Sequence, residues 1–251
     1  MCRGGPIPSL QVCVKVSLES VIGTEKYIFA STIRGPLVVV FDKDTFFNRH
    51  TPRYVETLSV SASESYSLAA TKESLYVSTK RSLLVYDMIQ RDVVQTIPLR
   101  SESITEIAIA ENILLLVNAK EGIRALDLSN LSKEKWNLSC NEWQHRPRAL
   151  CVDRGEIYVT EHTGSTIRVL NVEGEFLRSW DVAKTPLTSI CAQDGLIYGV
   201  HHRWHDLYVF KGTTGKLVDR YQLPAQSVLN RIRTRIGEGH LDHRPPNRKA
   251  F

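Results

Sequence analysis

Three histidines near the carboxyl end of the chain, His201, His202 and His205, are the first residues whose type and spacing suggest chemistry. Imidazole is a common zinc ligand, and two residues four positions apart share one face of a helix. His201 and His205, however, fall at the end of a predicted strand and in the turn after it, where that spacing does not bring them together. No third ligand is visible elsewhere in the sequence, and we expect neither a metal site nor a cofactor.

Nucleophilic and phosphate-handling catalysis have no recognisable motif in this chain. The sequence contains no G-x-S-x-G, the arrangement that presents a nucleophilic serine on a sharp turn. It also contains no glycine-rich loop that would cradle a phosphate. We therefore predict that the protein is not an enzyme.

Basic side chains recur in short predicted turns, and this pattern indicates binding. The turns are IRG (33–35), KRS (80–82), KEG (120–122), HTG (162–164) and HRW (202–204). Trp143 stands in a neighbouring loop of the same face. Cations with interleaved aromatic rings fit single-stranded RNA, whose phosphates pair and whose bases stack, and loops on a rigid scaffold equally fit a protein partner. The candidate partner-binding residues are Arg34, Lys80, Arg81, Lys120, Arg146, His162, Lys184, His202, Arg203 and Trp204.

The elements that must position these turns are short strands in a repeated unit. From Arg148 to Val182 the chain reads as four strands separated by tight turns, with Gly155 able to adopt a positive φ. Equivalent second strands begin at Tyr27, Leu75, Ile113, Glu156 and Leu196, so their starts differ by 48, 38, 43 and 40 residues. A period of about 40 residues with four strands per unit is typical of a β-propeller.

One position in the first strand of every unit supports this architecture. It is occupied by Ile22, Ala70, Ala108, Cys151 and Cys191. Four of these five residues are small, as innermost strands crowded around a common axis require. We expect an all-β protein, a propeller of four-stranded antiparallel blades, whose inner position cannot chelate a metal.

The segment 148–182 resembles an NHL repeat. Its residues ALCVDRGEIYVTEHTGSTIRVLNVEGEFLRSW follow the family's order of apolar strand, turn, "iyVtD", glycine turn, "RIqVFd" and "GefLrsfG". The other units match the strand layout more than the letters. Trp180 and Asp181 fall in the fourth strand, so the pair is not the signature of a WD repeat. The resemblance implies a six-bladed propeller of the NHL-like superfamily.

The same resemblance implies the range of functions. Some NHL domains bind RNA and others bind proteins on this kind of loop face. Some propellers with similar repeats are lyases or lactonases that hold a metal in the central channel. We expect a non-enzymatic binding module or scaffold for a protein partner. RNA binding and a lyase-type or lactonase-type channel enzyme are the alternatives, and the oligomeric state stays open.

The two ends of the chain do not fit the five units. We expect a loose tail at 1–10, the propeller at 11–223, and a basic tail or a remnant of a sixth blade at 224–251. Gln11 to Leu18 alternates like a strand and directly precedes the first unit, so it is an orphan fourth strand. Only Ser227 to Ile236 could add a strand to its blade. We therefore predict five recognisable blades and an incomplete sixth. A fragment and a five-bladed ring with a spare strand are the alternatives.

Composition and charge complete the expectations. Apolar residues make up 42% of the chain, and no apolar run approaches the roughly 18 residues of a membrane helix, so we expect no membrane insertion. The net charge is +5, and residues 231–251 hold six basic against two acidic side chains. No signal peptide is recognisable and the five cysteines show no C-x-x-C spacing, which indicates a reducing, cytoplasmic location. The insertion 43–53 is predicted to be a loop with Phe46 and Phe47 at its tip, either tucked in or contacting a partner.

Overall fold

Five four-stranded antiparallel sheets are the blades of a β-propeller in the computed structural model of the chain. The residues that the structure describes are 18–32, 37–48, 53–59, 65–99, 104–143, 145–182, 186–201 and 206–222. Strands follow sequence order within every sheet, so each blade is a meander from an inner to an outer strand. The predicted all-β class and the four-stranded blades are confirmed.

The strand boundaries follow the predicted repeat closely. Blade 1 contains β1 (Leu18–Gly23), β2 (Tyr27–Thr32), β3 (Leu37–Asp42) and β4 (Tyr54–Ser59). Blade 2 contains β5 (Ser65–Ala70), β6 (Ser74–Thr79), β7 (Ser82–Asp87) and β8 (Asp92–Pro98). Blade 3 contains β9 (Ile104–Ala110), β10 (Ile113–Asn118), β11 (Gly122–Asp127) and β12 (Asn130–Ser139). Blade 4 contains β13 (Pro147–Asp153), β14 (Glu156–Glu161), β15 (Thr166–Leu170) and β16 (Phe176–Asp181). Blade 5 contains β17 (Ser189–Gln193), β18 (Leu196–His201), β19 (Asp206–Lys211) and β20 (Leu217–Gln222).

Tight turns between the first and second strands set the register of the blades. In blade 4 the two turn residues Arg154 and Gly155 have φ values of 51° and 75°. Two successive positive φ values give the turn whose twist matches that of the flanking strands. Asp194 and Gly195 repeat this geometry in blade 5, with φ values of 54° and 79°. The predicted positive φ at Gly155 is confirmed.

Apolar side chains fill the space between neighbouring blades. Four separate clusters join blades 1 and 2, 2 and 3, 3 and 4, and 4 and 5, each built from the facing sides of two sheets. Leu75, Leu114, Leu115 and Ile197 are representative members, and all are completely buried. Because each blade is buried on its faces, its central strands carry nearly continuous apolar runs, as β10 does with ILLLVN.

The first strands of all five blades surround one cavity of about 90 Å³. Ile22, Ala70, Ala108, Cys151 and Cys191 all line it, together with their neighbours on the same strands. The prediction that these five residues occupy one equivalent position near a common axis is confirmed. The thiols of Cys151 and Cys191 are buried and free, and they act here as small apolar groups.

The first part of the insertion in blade 1 is a helix, α1 (Lys43–Asn48), and the predicted loop is wrong there. Asp42 ends β3 and its Oδ1 atom accepts a hydrogen bond of 3.0 Å from the backbone N–H of Thr45. This is the contact of an N-terminal cap, which satisfies one of the first free N–H groups of a helix. The side chains of Phe46 and Phe47 lie outside what the structure describes.

The ends of the chain are only partly tested. Leu18 belongs to the inner strand β1, so the predicted orphan strand does not extend to it. Residues 1–17 and 223–251, which include the rest of that strand, the predicted sixth-blade remnant and the basic tail, lie outside the described residues. Among the residues that are described, no helix is long and apolar enough to cross a membrane.

Candidate functional site

In blades 2, 3 and 4 the turns after the second strands lie on one face of the propeller, which we call the loop face. In blade 4 the first residue of β13, Pro147, pairs with the last residue of β14, Glu161. In blade 3, Ile104 pairs in the same way with Asn118. The connections between blades therefore open at the same end as the turns after β6, β10 and β14. The loop face thus gathers both kinds of loop that the sequence analysis selected.

Five predicted site residues lie exposed on the loop face: Lys80, Arg81, Lys120, Arg146 and His162. They come from blades 2 and 3, blade 4, and the connection between blades 3 and 4. None of the ion pairs formed among the described residues uses Lys80, Lys120 or Arg146. The other predicted site residues, Arg34, Lys184, His202, Arg203 and Trp204, lie outside the described residues.

The polar residue that ends the second strand holds the turn beneath these cations. In blade 2 the Thr79 hydroxyl accepts hydrogen bonds from the backbone N–H groups of Arg81 at 3.4 Å and Ser82 at 3.0 Å. In blade 3 the Asn118 carbonyl oxygen accepts from those of Lys120 at 2.8 Å and Glu121 at 3.2 Å. Such side-chain caps fix a turn locally, so the cations stand on defined backbone.

Glu161 occupies the same position in blade 4 and does not cap its turn. Its side chain is only 1% exposed, and neither carboxylate oxygen makes a hydrogen bond. The Nε atom of Arg168 lies 3.1 Å from Oε1, but this charge contact lacks the geometry of a hydrogen bond. Burial raises the pKa of the Glu161 carboxyl, and the guanidinium of Arg168 together with the side chain and backbone of His145 only partly opposes this effect. Glu161 is therefore a buried acid with spare acceptor capacity.

Gly164 makes room for this arrangement. A Cβ atom at position 164 would overlap Oε2 of Glu161 and would lie 2.8 Å from Cδ2 of His145. Its role is close approach, because φ of Gly164 is not in the left-handed region. The turn after β14 is therefore built around the Glu161 carboxylate.

Arg168 is fixed by two further contacts on its other side. Its guanidinium lies 5.1 Å from the centre of the Trp143 ring, and its Nη1 atom donates to the carbonyl oxygen of Glu142 at 3.0 Å. Trp143 is 8% exposed and its indole N–H is buried without a hydrogen bond. Trp143 does lie in the connection between blades 3 and 4, as expected, but its ring packs beneath Arg168 and is not exposed to a stacking base.

These groups border an open space that we call the blade 4 cleft. It has a volume of about 380 Å³ and is lined by Glu161, Thr166, Arg168, Phe176, Ser179 and Asp181. The Thr166 hydroxyl donates to Oδ1 of Asp181 at 3.1 Å. The lining holds two carboxylates against one guanidinium, and Phe176 is 59% exposed at its edge. Sequence reasoning did not select the cleft. Its one signal was a glutamate where other units have Thr32, Thr79 and Asn118.

The central cavity and the histidines at 201–205 are the other candidate sites for chemistry. The central cavity is lined by apolar side chains and two thiols. Among the described residues, no group of three or more His, Cys, Asp and Glu side chains is placed to hold a metal ion. His201 is buried and pairs across the sheet with Asp206, whose Oδ2 atom accepts from Arg220 at 2.7 Å. His202 and His205 lie outside the described residues.

The strand order within the blades and the cavity that the five inner strands share identify the fold as a propeller. Comparison with known protein families and with curated proteins finds no match to this chain. A propeller fold serves many unrelated functions, so the function must be argued from the chemistry of the loop face.

Proposed function

We propose that the protein is a non-enzymatic binding module that holds a protein partner on the loop face of its propeller. The observation that carries the proposal is the row of exposed basic side chains from consecutive blades, Lys80, Arg81, Lys120, Arg146 and His162. Side-chain hydrogen bonds fix two of the turns that present them. A rigid scaffold with charged loops binds with little loss of conformational freedom.

The positive charge of the loop face favours a partner with acidic side chains. Lys80, Lys120 and Arg146 are exposed and outside the ion pairs of the described residues, so acidic side chains of a partner find unoccupied cations. Electrostatic complementarity of this kind accelerates association and selects partners. We propose a reducing, cytoplasmic setting for this interaction, in which the thiols of Cys151 and Cys191 stay free.

The resemblance of 148–182 to NHL repeats supports binding on this face, because NHL domains bind proteins or RNA there. The protein alternative is favoured over RNA by the burial of Trp143, which removes an aromatic ring that stacking of bases would use. A channel enzyme of the lyase or lactonase type is less favoured, because the described residues that line the central cavity are apolar apart from the two thiols. RNA binding remains an outcome that the experiment below distinguishes.

The experiment compares two triple charge reversals. The loop-face variant carries Lys80→Glu, Lys120→Glu and Arg146→Glu, and the control carries Lys72→Glu, Lys211→Glu and Lys216→Glu. The control residues are equally exposed but lie on turns at the opposite end of the blades. Both variants change the net charge by the same amount, so a general charge effect is shared.

We expect quantitative affinity capture from cell extract, with and without ribonuclease, to give one set of proteins that the wild type and the control retain. The loop-face variant should recover these proteins at least tenfold less, with unchanged circular dichroism and thermal unfolding. Equal recovery by both variants would reject the loop face. Loss of all binding after ribonuclease, with a steep dependence on salt, would instead identify RNA as the ligand.

A further inference from the structure

The blade 4 cleft contains a buried acid whose carboxylate is paired with Arg168 but accepts no hydrogen bond of good geometry. Glu161 forms part of its wall with a side chain that is 1% exposed, and both carboxylate oxygens are without hydrogen bonds. Leaving a buried polar group without hydrogen bonds destabilises the folded protein. A hydrogen-bond donor that enters the cleft would satisfy these oxygens, whereas an apolar or anionic group would not.

Capping the turn at this position does not require a glutamate. Thr79 and Asn118 show what the position does in blades 2 and 3, where a short side chain caps the turn. Glu161 makes no such bond, and Gly164 leaves the space that its longer side chain occupies. A residue that gives up a structural bond and is buried as an acid is typical of a functional position.

Arg168 does not neutralise the cleft by itself. Its guanidinium is shared among the Glu161 carboxylate, the carbonyl oxygen of Glu142 and the ring of Trp143. Asp181 adds a second carboxylate, so the lining carries one negative charge in excess. The complementary ligand is a cation that donates several hydrogen bonds, and the excess negative charge repels a phosphate.

The edge of the cleft adds an apolar contact. Phe176 lines it and leaves 59% of its surface exposed. Lysine and arginine side chains bury their hydrocarbon stems on apolar surface while their charged heads reach polar groups. We propose that the blade 4 cleft receives a lysine or arginine side chain of the protein partner, with its stem on Phe176 and its charged head on Glu161 and Asp181. This inference rests on the proposed function and names the anchor of the partner.

The test uses small probes and the full-length chain. N-acetyl-arginine methylamide, its lysine counterpart and the neutral isostere N-acetyl-citrulline methylamide are titrated into ¹⁵N-labelled protein, and amide shifts of 161–168 and 176–181 are followed. We expect one or both cationic probes to bind saturably, and the citrulline probe to bind at least tenfold more weakly. Glu161→Gln and Asp181→Asn should each weaken the cationic probe at least fivefold. The loop-face triple variant should bind it as the wild type does.

Two results would overturn the cleft as a cation site. One is the same affinity for the citrulline and arginine probes, or no saturable binding of either cation. The other is cation binding that both Glu161→Gln and Asp181→Asn leave unchanged. The probes need no partner, so the two proposals fail separately: probe binding with equal partner recovery by both triple variants would reject only the proposed function.

Discussion

The residue at the end of the second strand differs between blades in how its polar atoms are used. The Thr79 hydroxyl and the Asn118 carbonyl oxygen each accept hydrogen bonds from backbone N–H groups of the following turn. Glu161 stands at the same position with both oxygens buried and without hydrogen bonds. The comparison among blades serves as an internal control, because the backbone is repeated and only the side chain changes.

Glu161→Gln is expected to stabilise the protein at neutral pH, because burial disfavours the ionised carboxyl more than Arg168 and His145 favour it. Burial raises the pKa of the Glu161 carboxyl in the folded state, so its stabilising contribution is complete below the unfolded pKa of about 4.3 and is lost as pH rises through the folded pKa. Glutamine keeps the shape and carries no charge. Denaturant unfolding from pH 4 to pH 8 measures the difference.

The stability difference should grow as pH rises and nearly vanish at pH 4, where Glu161 is protonated. Asp181→Asn is the matched control, since no buried charge is removed there and Asp181 is exposed. A glutamine variant that is less stable than the wild type at neutral pH would show that the ion pair with Arg168 outweighs the cost of burial. The same variants in the probe titration then separate binding from stability.

Predictions for single residues were correct where one local rule determines the backbone conformation or the burial of the side chain. The positive φ of Gly155 follows from turn chemistry, and the burial of Cys151 and Cys191 follows from their repeated position. The burial of Trp143 could not be predicted, because it depends on Arg168, which a different strand brings across from blade 4. The cleft was missed for the same reason: its lining comes from β14, β15 and β16 together.

The outer strands of blades 3 and 4 each contact the next blade through a tryptophan that packs on a glycine turn. Trp136 of β12 packs on Gly174, and Trp180 of β16 packs on Gly215 of the next blade. Both glycines have positive φ, at 86° and 68°, and a Cβ atom on either would press into the indole ring. The two contacts differ in one hydrogen bond: the Trp136 N–H donates to the carbonyl oxygen of Val172 at 2.8 Å, while that of Trp180 is unpaired.

Trp136→Phe is expected to destabilise the protein by about 1 kcal/mol more than Trp180→Phe. Both substitutions remove the same atoms from a half-buried ring. Only the first also leaves the carbonyl oxygen of Val172 without its donor, whereas the second removes an N–H that has no acceptor. Chemical unfolding of the two variants side by side gives the difference. Equal losses would show that the hydrogen bond of Trp136 contributes nothing beyond packing.

At the level of elements, the repeat predicted the order of the strands and nearly all their positions. The helix α1 was missed because the insertion interrupts the period, so the repeat offers no template there. Its one local signal was Asp42 followed three residues later by Thr45, the spacing of a helix cap.

The whole molecule is held by contacts between neighbours in the sequence order of the blades. The inner strands pack in succession, β1 on β5, β5 on β9, β9 on β13 and β13 on β17, and an apolar cluster accompanies each step. Among the described residues, no comparable cluster joins blade 5 to blade 1. Ile28 of blade 1 and Val209 of blade 5 are nevertheless 4% and 5% exposed, and neither belongs to the four clusters.

A double-mutant cycle on Ile28→Val and Val209→Ala tests how the first and last blades meet. We expect the two losses of unfolding free energy to add within about 0.5 kcal/mol, as for residues without shared partners. Val40→Ala with Val77→Ala is the matched pair, because both residues belong to the cluster between blades 1 and 2. Members of one packed cluster should couple by about 0.5 kcal/mol or more. Coupling of that size between Ile28 and Val209 would show that blades 1 and 5 pack directly on each other. In that case no further segment would lie between the two blades.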